Sequence, residues 1–164
     1  MTNILIAIGV SKAYAGDIAL LLLMILAGII LMFIVKKTKI GAFAFAVYSA
    51  YLITEVANFD FIQTHTTKSI VFLITAIVLH YSLFKPTVVI KLSGGNIVRW
   101  AKRVGIAFTI IGLMASIILG WIPDKEVVKM LSPFGLKLFT TSFARFIWAI
   151  APVVILLMTR KRDE

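Results

Sequence analysis

The sequence predicts an all-α membrane protein, a polytopic bundle of about five transmembrane helices. Of its 164 residues, 61% are hydrophobic and the mean hydropathy is +1.05, whereas soluble domains are roughly 45–50% apolar. The apolar residues form long uncharged runs, and the 17 Lys and Arg residues outnumber the 7 Asp and Glu residues between them. A domain of this size cannot bury so much apolar surface. The composition therefore excludes a soluble enzyme and a nucleic-acid-binding module.

The uncharged runs define the predicted spans of a single transmembrane domain, residues 1–164. A spanning helix needs about 20 apolar residues because the hydrocarbon core is about 30 Å thick. The predicted spans cover residues 17–35, 40–58, 69–84, 105–122 and 138–158. The third run is short, so the sequence leaves open whether it crosses fully. The brief connection between the first two predicts a tight antiparallel hairpin.

The distribution of basic residues predicts the orientation. Segments 36–39, 85–103 and 159–164 carry three, five and three Lys or Arg residues, eleven in all, against five on the opposite side. Basic loops stay on the cytoplasmic side, so the N-terminus is expected outside and the C-terminus inside. For residues 1–15 two alternatives stay open, a cleaved signal peptide or a short tail on the outer surface. The absence of a basic residue before their apolar run argues against the signal peptide.

Two opposite charges within the spans are candidates for an ion pair. Glu55 in the second span and Arg145 in the fifth each lie about 8–10 Å below the outer edge of the core. A charge in lipid is costly and usually has a partner. Arg145 can also reach the outer headgroups by itself, since its side chain leans that way. The sequence leaves the pair and this alternative open.

A polar face accompanies Glu55 on the second span. Tyr48, Tyr51, Glu55 and Asn58 are spaced by three or four residues, which places them on one side of a helix. This face can line a path for a solute, or it can form a buried hydrogen-bond network. His80, in the third span, has no acidic residue at its depth and is expected to be a neutral, buried histidine.

A basic cluster precedes the fourth span. Trp100 is surrounded by Arg99, Lys102 and Arg103, a pattern typical of a lipid-facing anchor in which the ring lies at headgroup depth and the cations meet phosphates. The expected partner of this cluster is the lipid bilayer, not nucleic acid. The chain has no cysteine, and neither a catalytic pair nor a metal-ligand set can be assembled. We therefore expect no enzymatic activity, cofactor or metal.

Small residues recur at four-residue spacing, which lets helices approach closely in lipid. They are Ala42, Ala46 and Ala50 in the second span, and Gly112, Ser116 and Gly120 in the fourth. Ile117 is expected to face away from this packing surface. Between the last two spans, residues 123–137 are expected to form an amphipathic helix on the outer surface, ended by Ser132 and Pro133.

The last third of the chain resembles a bacterial family. The resemblance rests on Phe139, the segment 143–148, Pro152 and the basic end, with the short first hairpin and the polar second span. In these features the chain is similar to small uncharacterised membrane proteins of candidate-phyla bacteria, which are distantly similar to the colicin V production protein family. Segment 36–41 only partly matches the glycine and arginine that this family carries after its first span. The resemblance implies a bacterial inner-membrane location and no catalytic residue.

Two functions remain open from the sequence. The first is a non-enzymatic scaffold or accessory subunit of a cell-envelope assembly, with another membrane protein or a second copy as partner. The alternative is a small channel or transporter subunit that uses the polar face of the second span. A continuous polar cavity that reaches Glu55 from one side would favour the transporter. A dry core, with apolar patches on the outer helix or inner loop, would favour the scaffold.

Overall fold

The structure, a computed structural model, describes residues 11, 14–35, 39–57, 64–82 and 96–159. Within these ranges every regular element is a helix and no strand occurs. In chain order the helices are α1 (Ala15–Ile34), α2 (Ile40–Val56), α3 (His65–Ser82), α4 (Asn96–Trp121), α5 (Asp124–Met130), α6 (Pro133–Phe139) and α7 (Ser142–Thr159).

Two helices are long and apolar enough to cross a membrane by themselves. They are α1 and the portion Trp100–Trp121 of α4. The segments Pro133–Phe139 and Ser142–Met158 pass the same test together but are bent by 53°, so the described residues hold two such spans, or three if the bent pair is one. Helix α2 is apolar but shorter. The structure therefore has the helices of a membrane bundle.

The predicted fifth span is interrupted rather than continuous. Residues 138–158 include the end of α6 and nearly all of α7, with a break at Thr140 and Thr141. The Thr141 hydroxyl accepts a hydrogen bond from the Ala144 backbone N–H at 3.2 Å. This contact satisfies a donor in the first turn of a new helix. The Thr141 hydroxyl therefore caps the start of a new helix, α7, at a point where the apolar run predicted one uninterrupted helix.

Helix α4 is the centre of the bundle and packs against α1, α2, α3 and α7. Helices α2 and α4 run in one direction, and α1, α3 and α7 run in the other, as the contacts between them require. The predicted α1–α2 hairpin is wrong as a packing unit, because α1 packs mainly on α4 and α2 mainly on α3. Residues 36–38 of the connection lie outside the described residues.

Small residues contribute to the buried sides of α1 and α2. In α1, Met24, Gly28 and Leu31 are buried, whereas the Leu and Ile side chains between them are exposed. In α2 the predicted small residues Ala46 and Ala50 are fully buried. Such helices present apolar side chains outward, which suits a lipid environment.

Close helix packing occurs at the predicted small residues of α4. Gly112 lies directly against the Trp148 ring of α7, and the buried Ser116 hydroxyl donates to the Phe139 carbonyl at 2.8 Å. Gly120 lies against Arg145. The expectation that Ile117 faces outward is wrong, because α4 has neighbours on most sides and Ile117 is only 8% exposed.

The start of α1 is tied to the joint between α5 and α6. The Ser132 backbone N–H donates to Asp17 Oδ1 at 2.9 Å, and its hydroxyl donates to the other carboxylate oxygen. The same hydroxyl accepts from the backbone N–H groups of Phe134 and Gly135, which caps α6. A Cβ on Gly16 would lie 1.7 Å from the Met130 carbonyl oxygen, so this approach requires glycine.

Candidate functional site

A cavity of about 470 Å³ opens at the end of the bundle where α2 and α4 end and α3 and α7 begin. It extends along α4 from Trp121 to Leu113, about 12 Å at 1.5 Å per residue. Its walls combine apolar side chains with Glu55, Lys68 and Arg145. Cavities of this size, mostly apolar with a few converging polar groups, are typical small-molecule sites.

Trp121 organises the polar part of the cavity. Its indole Nε1 donates to Glu55 Oε1 at 2.6 Å. The ring stacks on Tyr51 at a centroid distance of 6.3 Å and meets the edge of Phe72 at 5.6 Å. The Lys68 ammonium lies 5.1 Å from the ring centroid, within the range of a cation–π interaction. One aromatic side chain thus positions both an acid and a base.

Glu55 has a charged partner, but that partner is Lys68. Lys68 Nζ lies 3.0 Å from Glu55 Oε2, and the two side chains are 38% and 24% exposed for Glu55 and Lys68 respectively. The predicted pair with Arg145 is wrong, since Arg145 Nε instead donates to the Thr140 carbonyl at 3.1 Å. The physical reason is the late start of α7, which puts Arg145 in its first turn, directly after the break and not a third of the way along an uninterrupted helix.

Three residues of the predicted polar face meet in the cavity. Tyr48, Tyr51 and Glu55 all line it, and the Tyr48 hydroxyl donates to the Ala149 carbonyl of α7. Asn58 lies outside the described residues. The face therefore points into the bundle and towards a cavity, with hydrogen bonds that cross to α4 and α7.

His80 lies apart from this cavity, near the opposite end of the bundle. It is buried, and its ring meets Phe43 edge-on at a centroid distance of 5.2 Å and Tyr81 at 5.3 Å. Its Nδ1 is buried without a hydrogen-bond partner among the described residues. The structure therefore gives His80 an aromatic packing role and does not join it to the other candidates.

The predicted lipid-facing basic cluster is divided between two roles. Trp100 is exposed, as an interfacial ring would be, and Lys102 is half-buried on the same helix. Arg103 turns inward, where Nη2 donates to the Val35 carbonyl at 2.8 Å and to the Met32 carbonyl. The last carbonyls of a helix lack internal partners and attract cations, so Arg103 is held against the end of α1 and is not the freely extended surface anchor that the sequence predicted. Arg99 belongs to the same helix, and its side chain lies outside the described residues.

Sequence reasoning missed Lys68 and Trp121 as site residues. Both stood at the edges of predicted spans, where a basic or aromatic residue is ordinary. A usable signal was present in the connection between α2 and α3. Glu55 and Lys68 lie at similar distances from the middle of that connection, so an antiparallel helix pair brings them side by side.

Among the described residues that line the cavity, the charges do not balance. Lys68 and Arg145 supply two cations, and Glu55 supplies one carboxylate, already engaged by Lys68. In the described part of the chain no carboxylate lies within 4 Å of Arg145, and no group of three His, Asp or Glu residues could hold a metal. The arrangement can bind an anion.

Comparisons of the chain with protein-family models, with curated proteins and with solved structures give no match. The resemblance to the colicin V production protein family therefore stays a prediction.

Proposed function

We propose that the chain is a small subunit of a membrane transporter or channel that binds an organic anion in the cavity beside Trp121. The observation that carries this proposal is the cavity itself, which reaches Glu55 and, counted over the described residues that line it, contains one cation more than it has carboxylates. The anionic group of the solute binds Arg145, and Lys68 adds a second positive charge nearby. The apolar walls and the Trp121 ring accept the rest of the molecule.

A binding measurement with matched probes tests this function. Benzoate and its neutral isostere benzamide are each added to the purified protein in detergent, and the melting temperature is recorded. A ligand at 100 times its Kd stabilises the folded state by about 2.7 kcal/mol. We expect benzoate to raise the melting temperature of the wild type and of Lys137→Gln, an exposed charge change on α6, but not that of Arg145→Gln. Equal shifts with benzamide, or in all three proteins, would contradict the proposal.

The transporter proposal includes a topology of five crossings in the bacterial inner membrane, formed by α1, α2, α3, α4 and α7, with the N-terminus outside. The alternating directions of these helices support it, as does the basic bias of the sequence. Because the chain has no cysteine, single cysteines report accessibility directly. We expect cysteines at Thr64 and Lys129 to react with a membrane-impermeant maleimide from outside, and those at Thr38 and Asn96 only after the cells are opened.

Ser132, an obvious further position on the outer side, is unsuitable for labelling because it is buried and bonded to Asp17. Lys129 replaces it, since its side chain is exposed. Labelling of Thr38→Cys in intact cells would reverse the proposed orientation.

A scaffold is the second candidate function, and a separate surface favours it. On α5 and α6, Val128, Met130 and Phe134 are 59%, 56% and 65% exposed. This apolar patch lies at the same end of the bundle as the Asp17–Ser132 contact, and it suits a partner in the membrane interface. A photo-crosslinking residue at Val128 should link a protein partner or a second copy, and one at Thr64 should not. Crosslinks to lipid alone would argue against the scaffold.

A further inference from the structure

A second cavity lies on another side of α4, and its chemistry differs from that of the first. It measures about 390 Å³ and lies between α1 and the first half of α4. Its walls are apolar side chains, among them Met24, Ile29 and Phe108, with Arg103 as the exception. A Cβ added to Gly28 meets nothing within 4 Å. Gly28 therefore faces open space in the middle of this cleft.

The length of the cleft matches one half of a bilayer. On α1 it extends from Met24 to Phe33, about 13 Å at 1.5 Å per residue. Half of a hydrocarbon core about 30 Å thick is about 15 Å. The volume lies near the lower end of the range for ligand pockets, roughly 300–1,000 Å³. An occupant that runs parallel to the helices, such as a single acyl chain, fits this shape.

At one end of the cleft lie a cationic and an aromatic side chain, Arg103 and Trp100, that can bind a lipid headgroup. Arg103 lines the cleft there and is anchored by the α1 carbonyls of Met32 and Val35. Its Nε is buried without an acceptor among the described residues. Trp100, 63% exposed, stands one turn earlier at the same mouth. A guanidinium anchored in this way, beside an interfacial tryptophan, is suited to a phosphate.

The charge of this end selects the class of lipid. Arg103 lines the cleft at this end, and Lys102 directly precedes it on α4. Basic residues concentrated beside a cleft between membrane helices favour anionic over zwitterionic headgroups. We propose that the cleft between α1 and α4 binds one anionic phospholipid, with an acyl chain against Gly28 and its phosphate at Arg103. This site does not depend on the solute cavity.

The test fills the cleft without removing a charge. Gly28→Leu places a side chain in the open space that the acyl chain would occupy, and Gly28→Met does so with a more flexible one. Gly105→Leu is the matched control, because Gly105 also has nothing within 4 Å of an added Cβ but does not line the cleft. Each protein is purified from membranes in mild detergent, and retained phosphatidylglycerol is counted by native mass spectrometry.

We expect the wild type and Gly105→Leu to retain phosphatidylglycerol, and both Gly28 variants to retain about tenfold less, equivalent to about 1.4 kcal/mol of binding. Added phosphatidylglycerol should raise the melting temperature of the first two proteins, and phosphatidylcholine should not. Equal retention in the Gly28 variants would overturn the site. Equal stabilisation by the two lipids would overturn the choice of an anionic headgroup.

Discussion

Replacing Gly112 by alanine is expected to destabilise the protein, whereas the same replacement at Gly105 of the same helix is expected to stabilise it. A Cβ at Gly112 would lie 2.0–2.5 Å from three atoms of the Trp148 ring. That ring cannot easily move away, because it stacks on Phe139 at 5.5 Å and its Nε1 donates to the Leu138 carbonyl at 2.9 Å. Overpacking of this kind costs about 1–3 kcal/mol.

Gly105 provides the opposite expectation. Nothing lies within 4 Å of a Cβ added there, so alanine gains helix propensity, up to about 1 kcal/mol, without a clash. The measurement is the free energy of unfolding by dodecyl sulfate in mixed micelles. Gly112→Ala should cost less in a Trp148→Leu background than in the wild type, because the smaller side chain makes room for the methyl group. An unchanged or raised stability of Gly112→Ala would show that the Gly112–Trp148 contact does not limit packing.

Replacing Lys68 by methionine is expected to destabilise the bundle by about 1–3 kcal/mol. This range lies between the value for exposed ion pairs, up to about 1 kcal/mol, and the 3–5 kcal/mol of buried pairs, since both side chains are partly exposed. The change leaves the Glu55 carboxylate with the Trp121 N–H as its remaining donor. The cation–π contact with Trp121 is lost as well.

A double-mutant cycle isolates the pair. Glu55→Gln combined with Lys68→Met should cost less than the sum of the single changes, because neither orphaned charge remains. The comparison cycle pairs Glu55→Gln with Arg145→Gln. We expect its coupling to be smaller, since Arg145 donates to the Thr140 carbonyl and not to Glu55. A larger coupling with Arg145 would restore the ion pair that the sequence predicted.

The polar face of α2 shows how far sequence periodicity can reach. The spacing of Tyr48, Tyr51 and Glu55 places them on one side of any helix, and all three line one cavity in the structure. The spacing did not predict the residues of other helices with which these side chains form hydrogen bonds. Trp121 comes from α4, and Ala149 from α7. Spacing along the chain shows which residues share one side of a helix. It does not show how a neighbouring helix is rotated, and so it does not identify their partners.

Arg103 and Ile117 show the same limit on α4. From the sequence, Arg103 is expected to lie among the lipid headgroups and Ile117 in the lipid core, as is usual for such side chains on a membrane helix. In the structure one binds the carbonyls at the end of α1 and the other is buried. Both outcomes follow from the central position of α4, which the order of the helices along the chain does not determine.

The helical class, the apolar character and the one-sided distribution of basic residues could all be predicted before the structure, because they depend only on composition and on the order of residues along the chain. The tertiary structure decided which charges meet. A helix turns by about 100° per residue, so the break at Thr140 and Thr141 alters both the direction and the depth of every residue that follows, Arg145 included. The residue that pairs with Glu55 is Lys68, at the start of the helix that packs against α2. The sequence had predicted Arg145 as the partner because the two residues lie at similar depths in their spans.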